Sequence, residues 1–103
     1  MNKEDLVSVI MPTYNAGKYL ADSMNSILNQ TYKNLELLIT DDASTDPTTL
    51  QLLKEYASKD ERVNILYLKE NHGAGYARNK SIERAKGRYI AFCDSDDRWT
   101  TDK

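Results

Sequence analysis

The sequence predicts an α/β fold of three layers, α/β/α, with helices on both faces of a mostly parallel four-stranded sheet. Two observations carry this. Four short apolar runs alternate with stretches of helical periodicity, the pattern of strands buried on both faces and joined by crossover helices. And 103 residues suffice for one core but not for two, so residues 1–103 form a single domain. Right-handed crossovers then bring the C-terminal end of every strand to one edge of the sheet, where ligands bind in such folds.

The elements follow in order. Leu6 to Met11 is apolar and β-branched and is stopped by Pro12, a buried strand. Leu20, Met24, Ile27 and Leu28 fall on one helical face, which predicts a helix over 18–29. Leu35 to Thr40 is the second strand and runs into Asp41-Asp42. Asp46 suits an N-cap and Pro47 the first helical position, so a helix is expected to about Ser58 with Leu50, Leu53 and Ala57 inward. Val63 to Leu68 is the third strand. After the turn Asn71 to Gly75, a helix over 76–86 should bury Ala77, Ser81, Ile82 and Ala85, with Gly87 ending it in the left-handed conformation. Tyr89 to Cys93 reads as a fourth buried strand, ending in Asp94-Ser95-Asp96-Asp97.

Composition removes several classes of function. A net charge of −2 offers no basic face for nucleic acid or an anionic membrane. No apolar run approaches the ~20 residues that cross a bilayer, and the polar start Met1 to Asp5 is unlike a signal peptide. Cys93 is alone, so no disulfide forms within the chain, and His72 is alone, which argues against a zinc site of His and Cys ligands. These features predict a cytoplasmic protein, with a peripheral place at the inner face of a membrane as the alternative for a full-length enzyme.

The strand ends collect the chemistry. Asp42, at the end of a buried strand, only accepts hydrogen bonds when ionised and so suits an imide N–H such as that of uracil; otherwise Asp41 or Asp42 simply caps the following turn. Tyr14 could stack on a base or ribose, or stand as a rim tyrosine. Gly73-Ala74-Gly75 offers close backbone approach and free N–H groups for an anion, but position 78 is Arg and the dinucleotide fingerprint fails, so an ordinary helix start is the competing reading. Arg78 could pair with a phosphate or with a carboxylate of the acidic cluster, or be solvated. With ten Asp in 103 residues the triplet Asp94-Ser95-Asp96 is near chance. Its position argues for more, because crowded carboxylates repel unless a cation or arginine compensates. Hard divalent cations prefer oxygen ligands, and one bridging these carboxylates to a diphosphate would stabilise a departing nucleotide. A hydrated turn is the alternative, with Asp97 a bystander.

Several blocks, in order and covering nearly the whole chain, resemble the family 2 glycosyltransferases, which have the GT-A fold. They are Val7 to Asn15, Ser26 to Tyr32, Asp41 to Asp46, Asn71 to Asn79 and Gly87 to Asp97. Ala43 departs from the glycine usual after the Asp pair. The resemblance implies an enzyme that moves a sugar from a nucleotide-sugar donor, with UDP the expected nucleotide, to a glycan or lipid-linked acceptor, with inversion. It implies donor binding by Pro12, Thr13, Tyr14, Asp42, Gly73, Arg78, Asp94 and Ser95, and Mn²⁺ or Mg²⁺ held by Asp96 with Asp94. Family domains run to roughly twice this length, so the resemblance makes the chain the N-terminal, donor-binding part, truncated. The acceptor site and general base are then expected beyond Lys103, leaving no catalytic base in the chain and no turnover by it alone. Two other functions compete. A receiver-like phosphoacceptor domain also carries acidic strand ends, but would need an acidic pair after the first strand, where Pro12-Thr13-Tyr14 stands. A non-enzymatic fragment that self-associates through an exposed sheet edge or apolar face is the other.

Overall fold

The structure, a computed structural model, describes residues 5–95. Its elements run β1 (Val7–Thr13), α1 (Tyr19–Leu28), β2 (Leu35–Asp41), α2 (Pro47–Lys59), β3 (Val63–Tyr67), α3 (Ala74–Arg84) and β4 (Tyr89–Phe92). The four strands form one sheet in the order β3-β2-β1-β4, all parallel. β1 and β2 pair along their full length, Val7 with Leu35 through Thr13 with Asp41. β4 covers only the first half of β1, from Val7 with Tyr89 to Ile10 with Phe92.

The expected three layers are present, built on strand alternation. Val9, Met11, Leu37 and Ile39 meet Leu20, Met24 and Ile27 of α1 and Leu53 of α2 in one apolar cluster. Each fully buried Leu, Ile or Met side chain contributes about 1.5–3 kcal/mol, so this face carries most of the stability. On the opposite face lies α3, attached partly by polar groups. The Ser81 hydroxyl sits 2.7 Å from that of Thr40 and also reaches the Leu38 carbonyl. Arg84 donates to the Ile39 carbonyl at 2.9 Å and to Asn64 Oδ1 at 2.6 Å. Burial pulls the Arg84 guanidinium below its ordinary value, partly offset by the charge of Glu36.

Several expectations need correction. β1 does not stop at Pro12 but runs through it to Thr13. The Ile10 carbonyl accepts from Cys93 N on the β4 side, so Pro12, two residues on, directs its missing N–H to the same side, where the β1–β4 pairing has ended. The inward face of α2 is Thr49, Leu53, Leu52 and Tyr56; Leu50 is only half-buried and Ala57 is exposed. α3 starts and ends two residues early, with Gly73 (φ 95°) before it and Ala85 after it. Ala77 and Ser81 are buried as expected, whereas Ile82 and Ala85 are half-buried. Gly87 does not end the helix. A Cβ there would lie 2.5 Å from Ser8 Oγ, 2.6 Å from Ser8 N and 2.7 Å from the Leu6 carbonyl, so the glycine permits close approach to β1. Last, β4 is not a buried strand: Tyr89, Ile90 and Phe92 are 41%, 45% and 53% exposed. It sits at the outside of the sheet, and among the described residues it has a partner only in β1. Asp96, Asp97 and the helix start expected at Trp99 to Lys103 lie outside the described residues.

Candidate functional site

The strand order reverses direction at β1: β2 and β3 extend to one side and β4 to the other. At that switch point, beyond the strand ends, lies a cavity of about 490 Å³, the size of a small-molecule site. Pro12 and Thr13 reach it from β1 and Tyr14 from just beyond it, Asp42 from just beyond β2, Arg78 from α3, and Asp94 and Ser95 from the turn after β4. Thus seven of the eight expected donor-binding residues meet there. The eighth, Gly73, does not line the cavity; its N–H is turned to Asp42.

The two adjacent aspartates at the end of β2 behave differently. Asp41 is 1% exposed and turned into its own loop, accepting from Ser44 N at 3.1 Å and Ser44 Oγ at 2.5 Å. Burial raises its carboxyl above the ordinary 3.8, the Ser44 hydrogen bonds oppose the rise, and the neighbouring Asp42 charge adds to it. Asp41 is therefore the turn cap. Asp42, 3% exposed, faces the cavity, but its Oδ1 accepts from His72 N at 2.8 Å and its Oδ2 from Gly73 N at 2.7 Å. Each oxygen retains a further lone pair. Of the N–H groups expected to hold an anion at the glycine turn, that of Gly73 is thus committed to Asp42, together with the N–H of His72 before it.

The loop after β1 is fastened to the loop after β2. Asn15, in the left-handed region at φ 47°, accepts Thr45 N and Asp46 N on its Oδ1, both at 2.9 Å, and its own N–H donates to Ser44 Oγ. Ser44 therefore links Asp41 to Asn15, and the link fixes the base of Tyr14, which stands 52% exposed at the cavity wall. Ala43 sits at φ 63°, which explains why glycine would be at ease there. Asp46 caps α2 as expected, accepting Thr49 N at 3.0 Å.

Arg78 Nη2 lies 3.7 Å from Asp94 Oδ1, both side chains partly exposed, so Arg78 compensates the acidic end of β4 at least in part. For a divalent cation the fit is partial. Asp94 is an oxygen ligand of the right kind at the cavity, no group of three or more His, Cys, Asp or Glu side chains converges among the described residues, and Asp96 is outside them. Sequence reasoning missed Tyr19, 58% exposed in the first turn of α1 and facing the same cavity. An aromatic on the polar side of a helix directly after a strand-end loop was the available signal.

Comparison with known proteins supplies the family. The profile described as Glycosyl transferase family 2 matches residues 8–103. A putative teichuronic acid biosynthesis glycosyltransferase, TuaG of Bacillus subtilis (strain 168), is 52% identical over 102 residues, 99% of this chain and 40% of TuaG. The crystal structure of S. aureus TarS 1-349 in complex with UDP superposes with a TM-score of 0.85 at 36% identity, over 93% of this chain and 29% of that one. The mannosyltransferase PcManGT from Pyrobaculum calidifontis, solved in complex with GDP-Man and Mn²⁺, gives 0.81 at 29% identity over 90% and 28%. The chain thus spans about 40% of the length of TuaG. The nearly full-length match to the profile and the all-parallel GT-A sheet agree: this chain belongs to glycosyl transferase family 2.

Proposed function

We propose that the chain is the donor-binding part of a glycosyltransferase that uses a UDP-sugar with a divalent cation. The observation that carries this is the convergence of Tyr14, Asp42, Arg78, Asp94 and Ser95 on one cavity at the sheet's switch point. The similarity to TarS, solved with UDP, supports the choice of nucleotide. In this reading Asp42 accepts the imide N–H of uracil while His72 and Gly73 hold its carboxylate in place, so little order is lost on binding. Tyr14 stacks on the base or ribose. Arg78 exchanges its 3.7 Å contact with Asp94 for the diphosphate, where a guanidinium binds in bidentate fashion.

Asp94 and Asp96 would hold Mn²⁺ or Mg²⁺, a choice supported by the Mn²⁺ in the PcManGT structure. The cation supplies charge stabilisation for the departing nucleotide. Inverting transfer also needs a base for the acceptor hydroxyl. The carboxylates lining the cavity among the described residues are Asp42, committed to two N–H groups, and Asp94, facing Arg78. Neither suits that task, so we place the base and the glycan or lipid-linked acceptor site in residues other than these, and expect no turnover by this chain alone. Calorimetric titration with UDP, with and without Mn²⁺, tests the reading: binding strengthened by Mn²⁺ is expected. No heat at millimolar UDP, or affinity indifferent to the metal, would contradict it.

A further inference from the structure

We infer that Ser23 is a positioning residue for the nucleotide site: from the buried side of α1, its hydroxyl fixes the turn that presents Asp94 to the cavity. Ser23 is fully buried, and its Oγ donates to the Ser95 carbonyl at 2.8 Å, across 72 positions of sequence. The Tyr19 carbonyl, at 3.2 Å, is the weaker of its two acceptors. A serine back-bonded only within its own helix would have no bearing on the site. This one spans from α1 to the end of β4.

Among the described residues the turn is also anchored through Cys93. Cys93 N donates to the Ile10 carbonyl at 3.1 Å, and the buried Cys93 thiol reaches the Asp94 carbonyl at 3.5 Å, a weak contact for sulfur. The consecutive carbonyls of Asp94 and Ser95 are therefore both turned to buried donors, and of the two bonds the Ser23 one is the stronger. With the backbone held inward, the Asp94 side chain stays 59% exposed, 3.7 Å from Arg78. That ion pair is too open to fix the turn by itself. α1 thus serves the site twice, with Tyr19 in its first turn facing the cavity and Ser23, one turn further, holding the opposite wall.

The ligand arm of the test rests on the UDP reading, so a second arm works without ligand. In Ser23→Ala of the whole chain, amide hydrogen exchange at 93–95 should quicken by about tenfold, the loss of one buried hydrogen bond, while Val9 to Met11 and Leu37 to Ile39 exchange as in the parent. UDP affinity should fall by about five- to tenfold, and combining Ser23→Ala with Asp94→Asn should cost less than the product of the two single losses. Unchanged exchange at the turn overturns the inference, as does a uniform rise through the sheet. So does a faster turn with UDP affinity within about twofold of the parent. Parent protein that binds no UDP refutes the nucleotide reading instead, and exchange alone then decides whether Ser23 holds the turn. Should Ser23→Ala not fold, Ser23→Cys, close in volume and a weaker donor, replaces it in both arms.

Discussion

β2 and β4 both end in aspartates at the same cavity, yet the two ends are built differently. β2 lies inside the sheet between β1 and β3, and its Asp41 and Asp42 are buried, each carboxylate holding two donors from the protein. β4 lies at the outside, and Asp94 is half in water with one ion pair at 3.7 Å. Buried carboxylates must be satisfied by fixed donors, and those donors organise the loops around them. An exposed carboxylate is satisfied by water and stays available to a ligand. In the proposed function the β2 end is the preformed frame that reads the nucleotide, and the β4 end is the part completed by what binds.

The largest expected difference is between Asp42→Ala and Asp94→Ala. Asp42→Ala frees the His72 and Gly73 amides and should destabilise the fold by about 2 kcal/mol as well as weaken UDP at least about tenfold. Asp94→Ala should weaken UDP too, yet shift stability by less than about 0.5 kcal/mol, because an exposed ion pair contributes little. Urea unfolding and calorimetry on the same samples separate the two effects; equal destabilisation by both would erase the contrast.

Asp41 sharpens it through pH. Its carboxyl is raised by burial, so the folded state binds that proton more tightly than the unfolded chain. Its contribution to stability is therefore greatest below the ordinary 3.8 and is lost as pH rises through the folded value. Asp41→Asn has no charge to bury and offers Ser44 one acceptor oxygen and one amide donor in place of two acceptors. Relative to the parent it should gain stability as pH rises from acid to neutral, read as urea midpoints across that range. A variant that instead loses ground to the parent across that range would show the charged form to be favoured in the fold.

The smallest effect concerns the neighbouring turn. Ala43 carries a left-handed backbone at φ 63° that costs a residue with a Cβ about 1 kcal/mol. Ala43→Gly should stabilise by about 0.5 kcal/mol, the larger freedom of glycine in the unfolded chain offsetting part of the relief. A thermal midpoint that falls would contradict this.

Much of this was legible in the sequence because it is local. Strand and helix order follow from periodicity, the Asp46-Pro47 cap from two adjacent residues, and the common edge from crossover handedness. What was missed depends on partners distant in the chain. The role of Gly87 is set by Ser8 and Leu6, the tolerance of Pro12 by where β4 stops, and the exposure of β4 by its place in the strand order. Asp41 and Asp42 are neighbours of one residue type, and only the loops above them decide which caps and which faces the cavity. The Ser23–Ser95 bond has no local signature at all.

That the switch-point cavity is the nucleotide site can be checked by following backbone amide resonances during a UDP titration with Mg²⁺, which is diamagnetic and leaves nearby resonances sharp. Saturable shifts are expected at Tyr14, Asp42, His72, Gly73, Arg78, Asp94 and Ser95, with none in the groove between α1 and α2 lined by Asn25, Tyr56 and Arg62. Shifts confined to that groove, or spread evenly over the chain, would contradict it.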